Sequence, residues 1–183
     1  MLRGKTVLVG ITGGIAAYKS AILVSRLRDA GAGVLVVMTR NATHFIAPLT
    51  LQTLCGHPVY VDMFPPTTQE VAEHVWLGEK ADVLVVAPAT ANIIGKVAAG
   101  IADDMLSTTI MAARAPVIFA PAMHTQMYQN PIVQEKIAQL EKLGYHFVGP
   151  VKGKLARGEE GLGRLAEIND IVDKVVQVIG GGK

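Results

Sequence analysis

Residues 83–92 read VLVVAPATAN, an almost entirely apolar run that ends in a proline and small polar residues. A strand without alternating polar residues is typical of the centre of a parallel sheet, where helices cover both faces. Similar short apolar runs, each followed by a helical pattern, lie at 6–9, 34–38 and 117–120. This alternation predicts an α/β fold with a single doubly wound, mostly parallel sheet of the Rossmann or flavodoxin type and helices on both faces.

The 183 residues favour one domain, which we place over residues 1–179, with residues 180–183 as a tail or linker. Half of the residues are hydrophobic and only 17% are charged, so we expect apolar surface to be used in subunit contacts. No apolar run reaches the ~20 residues of a membrane span, and the N-terminus lacks the pattern of a signal peptide. These features predict a cytoplasmic protein without a membrane partner.

The number of charged residues excludes few functions, but their arrangement along the chain excludes some. The net charge is +2, and no basic stripe with interleaved aromatic residues occurs, which argues against nucleic-acid binding. The single cysteine, Cys55, excludes an intrachain disulfide, and the five histidines show no metal-ligand spacing. We therefore expect no protein-built metal site.

Ligands of a doubly wound sheet bind beyond the carboxyl ends of its strands. After the first strand, residues 10–17 read GITGGIAA, a glycine-rich turn that enters a helix. Its spacing fits neither the dinucleotide nor the P-loop pattern, yet a turn with free N–H groups at a helix start suits the phosphate of a mononucleotide. A tight turn needed only for packing is the alternative.

The polar residues after the 83–87 strand have two interpretations. Thr90 fits the N-cap of the next helix, which would be a purely structural role. Asn92 is less easily explained in this way, because an amide in the first turn can offer a donor and an acceptor to a flavin ring. His74, beside Trp76, is a candidate for proton transfer, although a lone histidine is more often structural.

Two further segments carry candidate substrate contacts. Residues 121–127 read PAMHTQM, in which Met123 and Met127 fit core packing or a substrate wall, and His124 suits a carboxylate. The segment 153–163 is predicted as a glycine-rich loop, which is either a solvated loop or a lid over the site. Arg157 or Arg164 would then meet an anionic substrate.

Five motifs, in this order, resemble those of the homo-oligomeric flavin-containing cysteine decarboxylases. They span most of the chain: GITGGIAAYK (10–19), HVWL (74–77), PATANIIGK (88–96), PAMHTQM (121–127) and GEEGLGR (158–164). The similarity is strongest to the phosphopantothenoylcysteine decarboxylase branch, as found in the N-terminal domain of the bifunctional bacterial coenzyme A enzyme.

The resemblance implies FMN as cofactor and 4′-phosphopantothenoylcysteine as substrate. It assigns His74 as the active-site histidine and Met123, His124, Met127 and Arg164 as substrate contacts. The implied flavin contacts are Gly13, Gly14, Ile15, Thr39, Thr90, Ala91 and Asn92. The implied reaction oxidises the cysteine to a thioaldehyde, releases carbon dioxide, and reduces the resulting enethiolate with the same flavin to 4′-phosphopantetheine.

Three positions depart from the family pattern. His124 stands for the usual asparagine and Tyr128 for tryptophan, and both exchanges preserve the expected role. Arg157 stands where the family has a cysteine that helps to protonate the enethiol, and arginine is not an ordinary proton donor because its pKa is above ~12. Glu159, Glu160 or water would have to replace that acid.

Several alternatives stay open at this point. The chain could stop at the enethiol, as peptidyl-cysteine decarboxylases do, or it could be a flavin-binding regulatory subunit without turnover. A flavin prenyltransferase shares the fold, but the sequence shows no prenyl-phosphate site. The resemblance also implies trimers, sometimes assembled into dodecamers, with His74 acting on a neighbour's FMN, and a fused or separate phosphopantothenoylcysteine synthetase as partner.

Overall fold

A computed structural model describes residues 2–64, 73–154 and 158–181. Six parallel strands form the central sheet, in the order β3-β2-β1-β4-β5-β6. These strands are β1 (Thr6–Ile11), β2 (Gly33–Met38), β3 (Val59–Tyr60), β4 (Val83–Ala89), β5 (Val117–Pro121) and β6 (His146–Phe147). The predicted fold class, a single doubly wound parallel sheet, is confirmed.

Eight helices accompany the sheet within the described residues. They are α1 (Ser20–Asp29), α2 (Pro48–Cys55), α3 (Glu73–Lys80), α4 (Ala91–Ala98), α5 (Met105–Ala112), α6 (Thr125–Tyr128), α7 (Pro131–Lys142) and α8 (Ile168–Gly181). Short 3-10 helices at Ile15–Lys19 and Arg40–His44 follow β1 and β2. The helix predicted to follow the glycine-rich turn is thus a 3-10 turn that continues into α1, and α8 extends into the predicted tail.

Two cores cover the two faces of the sheet. Side chains alternate along a strand, so Val7 and Val9 of β1 lie in one core and Leu8 in the other. Helices α1, α2 and α8 cover the first face, and α3, α4, α5 and α7 cover the second. All seven residues of β4 are buried, as a strand covered on both faces requires.

The segment 153–163, predicted as a glycine-rich loop, contributes instead to a second, two-stranded antiparallel sheet. Its strands are β7 (Val151–Lys154) and β8 (Glu160–Arg164). A Cβ atom on Gly163 would overlap the carbonyl oxygen of Met123, so this position must be glycine for β8 to lie against the segment after β5. The loop prediction was wrong because glycines that permit close backbone approach look, in sequence, like glycines of a flexible loop.

Candidate active site

A large cavity opens at the carboxyl ends of β1, β2, β4 and β5. Its volume is about 1190 Å³. It lies where β1 and β4 are neighbours and the chain leaves them toward opposite edges of the sheet, which is the usual ligand position in doubly wound folds. All seven residues predicted as flavin contacts line it: Gly13, Gly14, Ile15, Thr39, Thr90, Ala91 and Asn92.

The glycine turn after β1 places a helix start at the cavity wall. Gly14 is extended and precedes the 3-10 helix Ile15–Lys19, which continues into α1. The first N–H groups of such a helix have no partner within it and carry its positive end, so they suit an anionic group. Gly13 is needed for packing, because a Cβ atom there would lie 2.5 Å from that of Asn41.

Thr12, which sequence reasoning missed, ties the two ligand loops together. Its side chain is buried, and Oγ1 donates a hydrogen bond to the Pro88 carbonyl (2.6 Å) and accepts one from the Thr90 N–H (3.1 Å). The partners are separated by 76 and 78 positions in sequence, so nothing local to Thr12 signals this role. The hydroxyl fixes the β4 loop relative to the glycine turn.

Thr90 does occupy the N-cap position of α4, but its side chain makes no capping hydrogen bond. The structural role considered for this hydroxyl is therefore absent, and Thr90 lines the cavity instead. Asn92 lies in the first turn of the helix, where it is exposed and also lines the cavity. Together they present a hydroxyl and an amide at the end of a rigid, buried strand.

Residues of the segment after β5 form another part of the wall. Met123, His124 and Met127 all line the cavity. His124 is the N-cap of α6, and its Nδ1 accepts a hydrogen bond from the Gln126 N–H (3.2 Å). Its Nε2 lies 2.5 Å from a carboxylate oxygen of Glu159, which precedes β8 and also lines the cavity.

Arg164, the last residue of β8, brings a half-buried cationic group to the cavity. One terminal nitrogen of its guanidinium donates to the Glu167 carboxylate. Its Nε is buried and has no hydrogen-bond partner among the described residues. A buried donor without a partner is costly, so this N–H favours an anionic ligand.

A second group that sequence reasoning missed is an ion cluster at the α4–α5 side of the cavity. The Lys96 ammonium lies 2.6 Å from Asp103 and 2.9 Å from Asp104. Burial alone would lower the pKa of Lys96 and raise that of Asp104, but the hydrogen bonds within the cluster outweigh burial, so the pKa of Lys96 is raised and that of Asp104 is lowered. The spacing of Asp104 and Ser107, a capping box at the start of α5, was the available sequence signal.

Of the two predicted catalytic residues, the structure describes only His74, and this residue does not line the cavity. His74 lies in the first turn of α3, partly buried, and is not among the residues that line the cavity of its own chain. Arg157 lies outside the described residues. Within the described ranges, no cluster of metal-ligating side chains occurs, and no helix is long and apolar enough to cross a membrane.

Comparisons with known proteins agree with this geometry. The Flavoprotein family model matches residues 1–180. The coenzyme A biosynthesis bifunctional protein CoaBC of Bacillus subtilis (strain 168) is 50% identical over 172 residues, which are 94% of this chain and 42% of that protein. The chain thus spans less than half the length of the curated relatives it matches.

Solved structures match over nearly their full length. A cysteine-to-serine mutant of PPC decarboxylase, complexed with pantothenoylaminoethenethiol, superposes with a TM-score of 0.85 at 33% identity, covering 95% of this chain and 97% of that one. The FMN-dependent cysteine decarboxylase SpaF gives a TM-score of 0.84 at 32% identity, covering 98% and 99%. The resemblance predicted from five motifs is confirmed, and the chain belongs to the flavoprotein family that includes these decarboxylases.

Proposed function

We propose that this chain is an FMN-dependent enzyme that decarboxylates 4′-phosphopantothenoylcysteine to 4′-phosphopantetheine in coenzyme A biosynthesis. The observation that carries the proposal is that one cavity of about 1190 Å³ is lined both by the flavin-motif residues and by the substrate-motif residues. Pockets for small molecules usually have volumes of about 300–1,000 Å³, so this cavity has room for a flavin mononucleotide together with part of a substrate. The names of CoaBC and PPC decarboxylase support the same activity.

The residues at the carboxyl ends of the neighbouring strands β1 and β4 fit FMN. The helix start after Gly14 suits the phosphate, and the uncapped Thr90 hydroxyl and the Asn92 amide suit a polar ring edge. When bound, FMN supplies a hydride acceptor and, after reduction, a hydride donor. Thr12 holds the two loops that would carry these contacts in a fixed relation.

The other half of the cavity suits a substrate with anionic ends and a thiol. His124 offers Nε2–H and Arg164 offers Nε–H, two donors for carboxylate or phosphate oxygens. Met123 and Met127 offer polarizable surface for a sulfur-bearing carbon. We assign the substrate carboxylate to His124, because this side chain projects from the same β5 end as the two methionines.

The reduction of the enethiolate to 4′-phosphopantetheine needs a proton at a carbon of the enethiolate. Glu159 lines the cavity, whereas Glu160 begins β8 and is not among the lining residues. Of the two, Glu159 is therefore the better placed to deliver a proton directly or through water. His74 would act during the oxidation, on the cavity of a neighbouring subunit.

The test starts with the visible spectrum of the purified protein, in which flavin bands are expected. Anaerobic addition of 4′-phosphopantothenoylcysteine should release carbon dioxide and yield 4′-phosphopantetheine, with the flavin bands restored at the end of the reaction. Released carbon dioxide with persistently bleached flavin would instead show that the reaction stops at the enethiol. No carbon dioxide would refute the proposed activity.

The enzyme that stops at the enethiol is the second candidate. It is favoured by Arg157 at the position of the family's cysteine and by the similarity to the cysteine decarboxylase SpaF. In that case reduced flavin would accumulate without oxygen and the enethiol would be the isolated product. The anaerobic experiment separates the two candidates in one measurement.

The proposal extends to the assembly and its setting. Large apolar residues are exposed near the cavity on α1, α2 and the preceding turns, which pack beside one another: Ile15, Tyr18, Ile22, Phe45 and Leu49. We assign this face to contacts within a trimer or a trimer-based assembly. A phosphopantothenoylcysteine synthetase, fused or separate, and a cytoplasmic location are parts of the same proposal, supported by the bifunctional relatives.

A further inference from the structure

The hydrogen bond between His124 and Glu159 joins two separate parts of the cavity wall. His124 begins α6 after β5, and Glu159 precedes β8. Their side chains are 37% and 50% exposed, so both groups can be reached by a ligand in the cavity. A ligand in the cavity can therefore replace the hydrogen bond between these two side chains with its own.

The tautomer of His124 limits what this side chain can bind. Because Nδ1 accepts from the Gln126 N–H, the proton of the neutral ring is on Nε2. That single N–H is directed at the Glu159 carboxylate, 2.5 Å away. His124 consequently has no second donor in the ring for another carboxylate.

The backbone holds Glu159 in this position. Near the other end of β8, the Met123 N–H donates to the Gly163 carbonyl (3.0 Å), and the absence of a side chain at Gly163 allows this close approach. The strand that follows Glu159 is thereby fixed on the residue that precedes His124. This docking keeps the strand that begins just after Glu159 beside the segment that carries His124.

We propose that Glu159 competes internally with the substrate carboxylate for the Nε2–H of His124. The inference rests on the proposed function, which assigns that carboxylate to His124. One N–H cannot make a short, linear hydrogen bond to two carboxylates at once, and the negative charges of two carboxylates held beside it repel each other. Substrate must displace Glu159 in order to bind, and the decarboxylated product lacks the group that keeps Glu159 displaced. Glu159 thus lowers substrate affinity and favours product exchange.

The test compares two ligands on FMN-loaded protein by isothermal titration calorimetry. The first is 4′-phosphopantothenoylserine, which keeps the carboxylate but lacks the reactive thiol; the second is 4′-phosphopantetheine, which lacks the carboxylate. Glu159→Gln keeps the size of the side chain and removes its charge. It should bind the serine analogue about fivefold more tightly than wild type, the scale of a half-exposed charged contact. Its affinity for 4′-phosphopantetheine should be unchanged.

Glu160→Gln is the matched control, since it removes one negative charge from the adjacent residue and leaves the hydrogen bond between His124 and Glu159 in place. It should bind both ligands as wild type does, and all three proteins should retain FMN equally. Equal or weaker binding of the serine analogue by Glu159→Gln would overturn the competition while leaving the proposed function intact. Failure of both ligands to bind any of the proteins would overturn the proposed function and the competition with it.

Discussion

At the scale of single residues, the buried hydroxyl of Thr12 makes two long-range contacts for which no other described side chain substitutes. Thr12→Val keeps the shape but leaves the Pro88 carbonyl and the Thr90 N–H without this partner. We expect a loss of about 1–3 kcal/mol in the free energy of unfolding, because buried polar groups left unpaired are costly. FMN affinity should also fall, since Thr90 is no longer held.

Chemical denaturation and fluorescence titration with FMN would measure the two effects of this change. Thr12→Ser keeps the hydroxyl and is the matched control, with a smaller loss from the missing methyl group. If the valine variant were as stable as the serine variant, the hydrogen bonds of Thr12 would not contribute as we infer.

The predicted and the missed residues differ in the distance over which they act. Asn92 and His124 could be selected from sequence because each follows a recognisable apolar strand within a few positions. Thr12 could not, because its partners lie 76 and 78 positions away in sequence and only the folded sheet brings them together. Glu159 was named only as a possible replacement acid, and its contact with His124, 35 positions away, gave no local signal. A sequence pattern therefore identifies a site residue only when the feature that marks it lies within a few positions of it.

At the scale of elements, the start of α5 carries a charge-dependent contribution to stability. The pKa of Asp104 in the folded protein lies below its ordinary value because the Ser107 N–H and the Lys96 ammonium outweigh the effect of burial. The stability that Asp104 contributes is therefore fully present above the unfolded pKa of about 4, and is lost as the pH falls through the lower, folded-state value.

Asp104→Asn tests this, since asparagine caps a helix nearly as well but carries no charge. At neutral pH the variant should be less stable by about 1 kcal/mol, and the difference should shrink as the solution is acidified below about pH 4. Urea denaturation over a pH series would measure it. Asp103→Asn removes a more exposed partner of Lys96 and should change the pH dependence less; a constant difference for Asp104→Asn at every pH would contradict the assignment.

The elements also show where sequence reasoning reaches its limit. The strands β1, β2, β4 and β5 were predictable because burial on both faces leaves a continuous apolar run. The β7–β8 hairpin was not, since its strands are rich in glycine and charge, and their pairing depends on docking against Met123. The helix that carries His74 was not predicted, because its large apolar residues at 75–77 are consecutive and show no helical periodicity.

At the scale of the whole molecule, the position of His74 away from its own cavity predicts active sites shared between subunits. His74→Asn alone should keep the flavin spectrum and lose carbon dioxide release. A second variant, Asn92→Asp, should lose FMN while keeping His74. Refolding the two inactive variants together should restore about a quarter of the wild-type activity, the share expected for random pairing of cavity and neighbour.

Two observations would contradict this view. Inactive mixtures, with each variant shown to assemble, would mean that no site combines residues from two subunits. A monomer by light scattering that retains full activity would exclude sharing altogether. Refolding His74→Asn with wild type provides the control for dilution of active sites.

The apolar composition of this chain has a further consequence when combined with the shape of its sheet. Both outer strands, Val59–Tyr60 and His146–Phe147, consist of only two residues in register with their neighbours. Long flat edges recruit strands from other molecules and start fibrils, whereas such short ones offer few unpaired backbone groups. The exposed apolar residues of the helices are therefore available for contacts between subunits, while the short edge strands offer little template for aggregation.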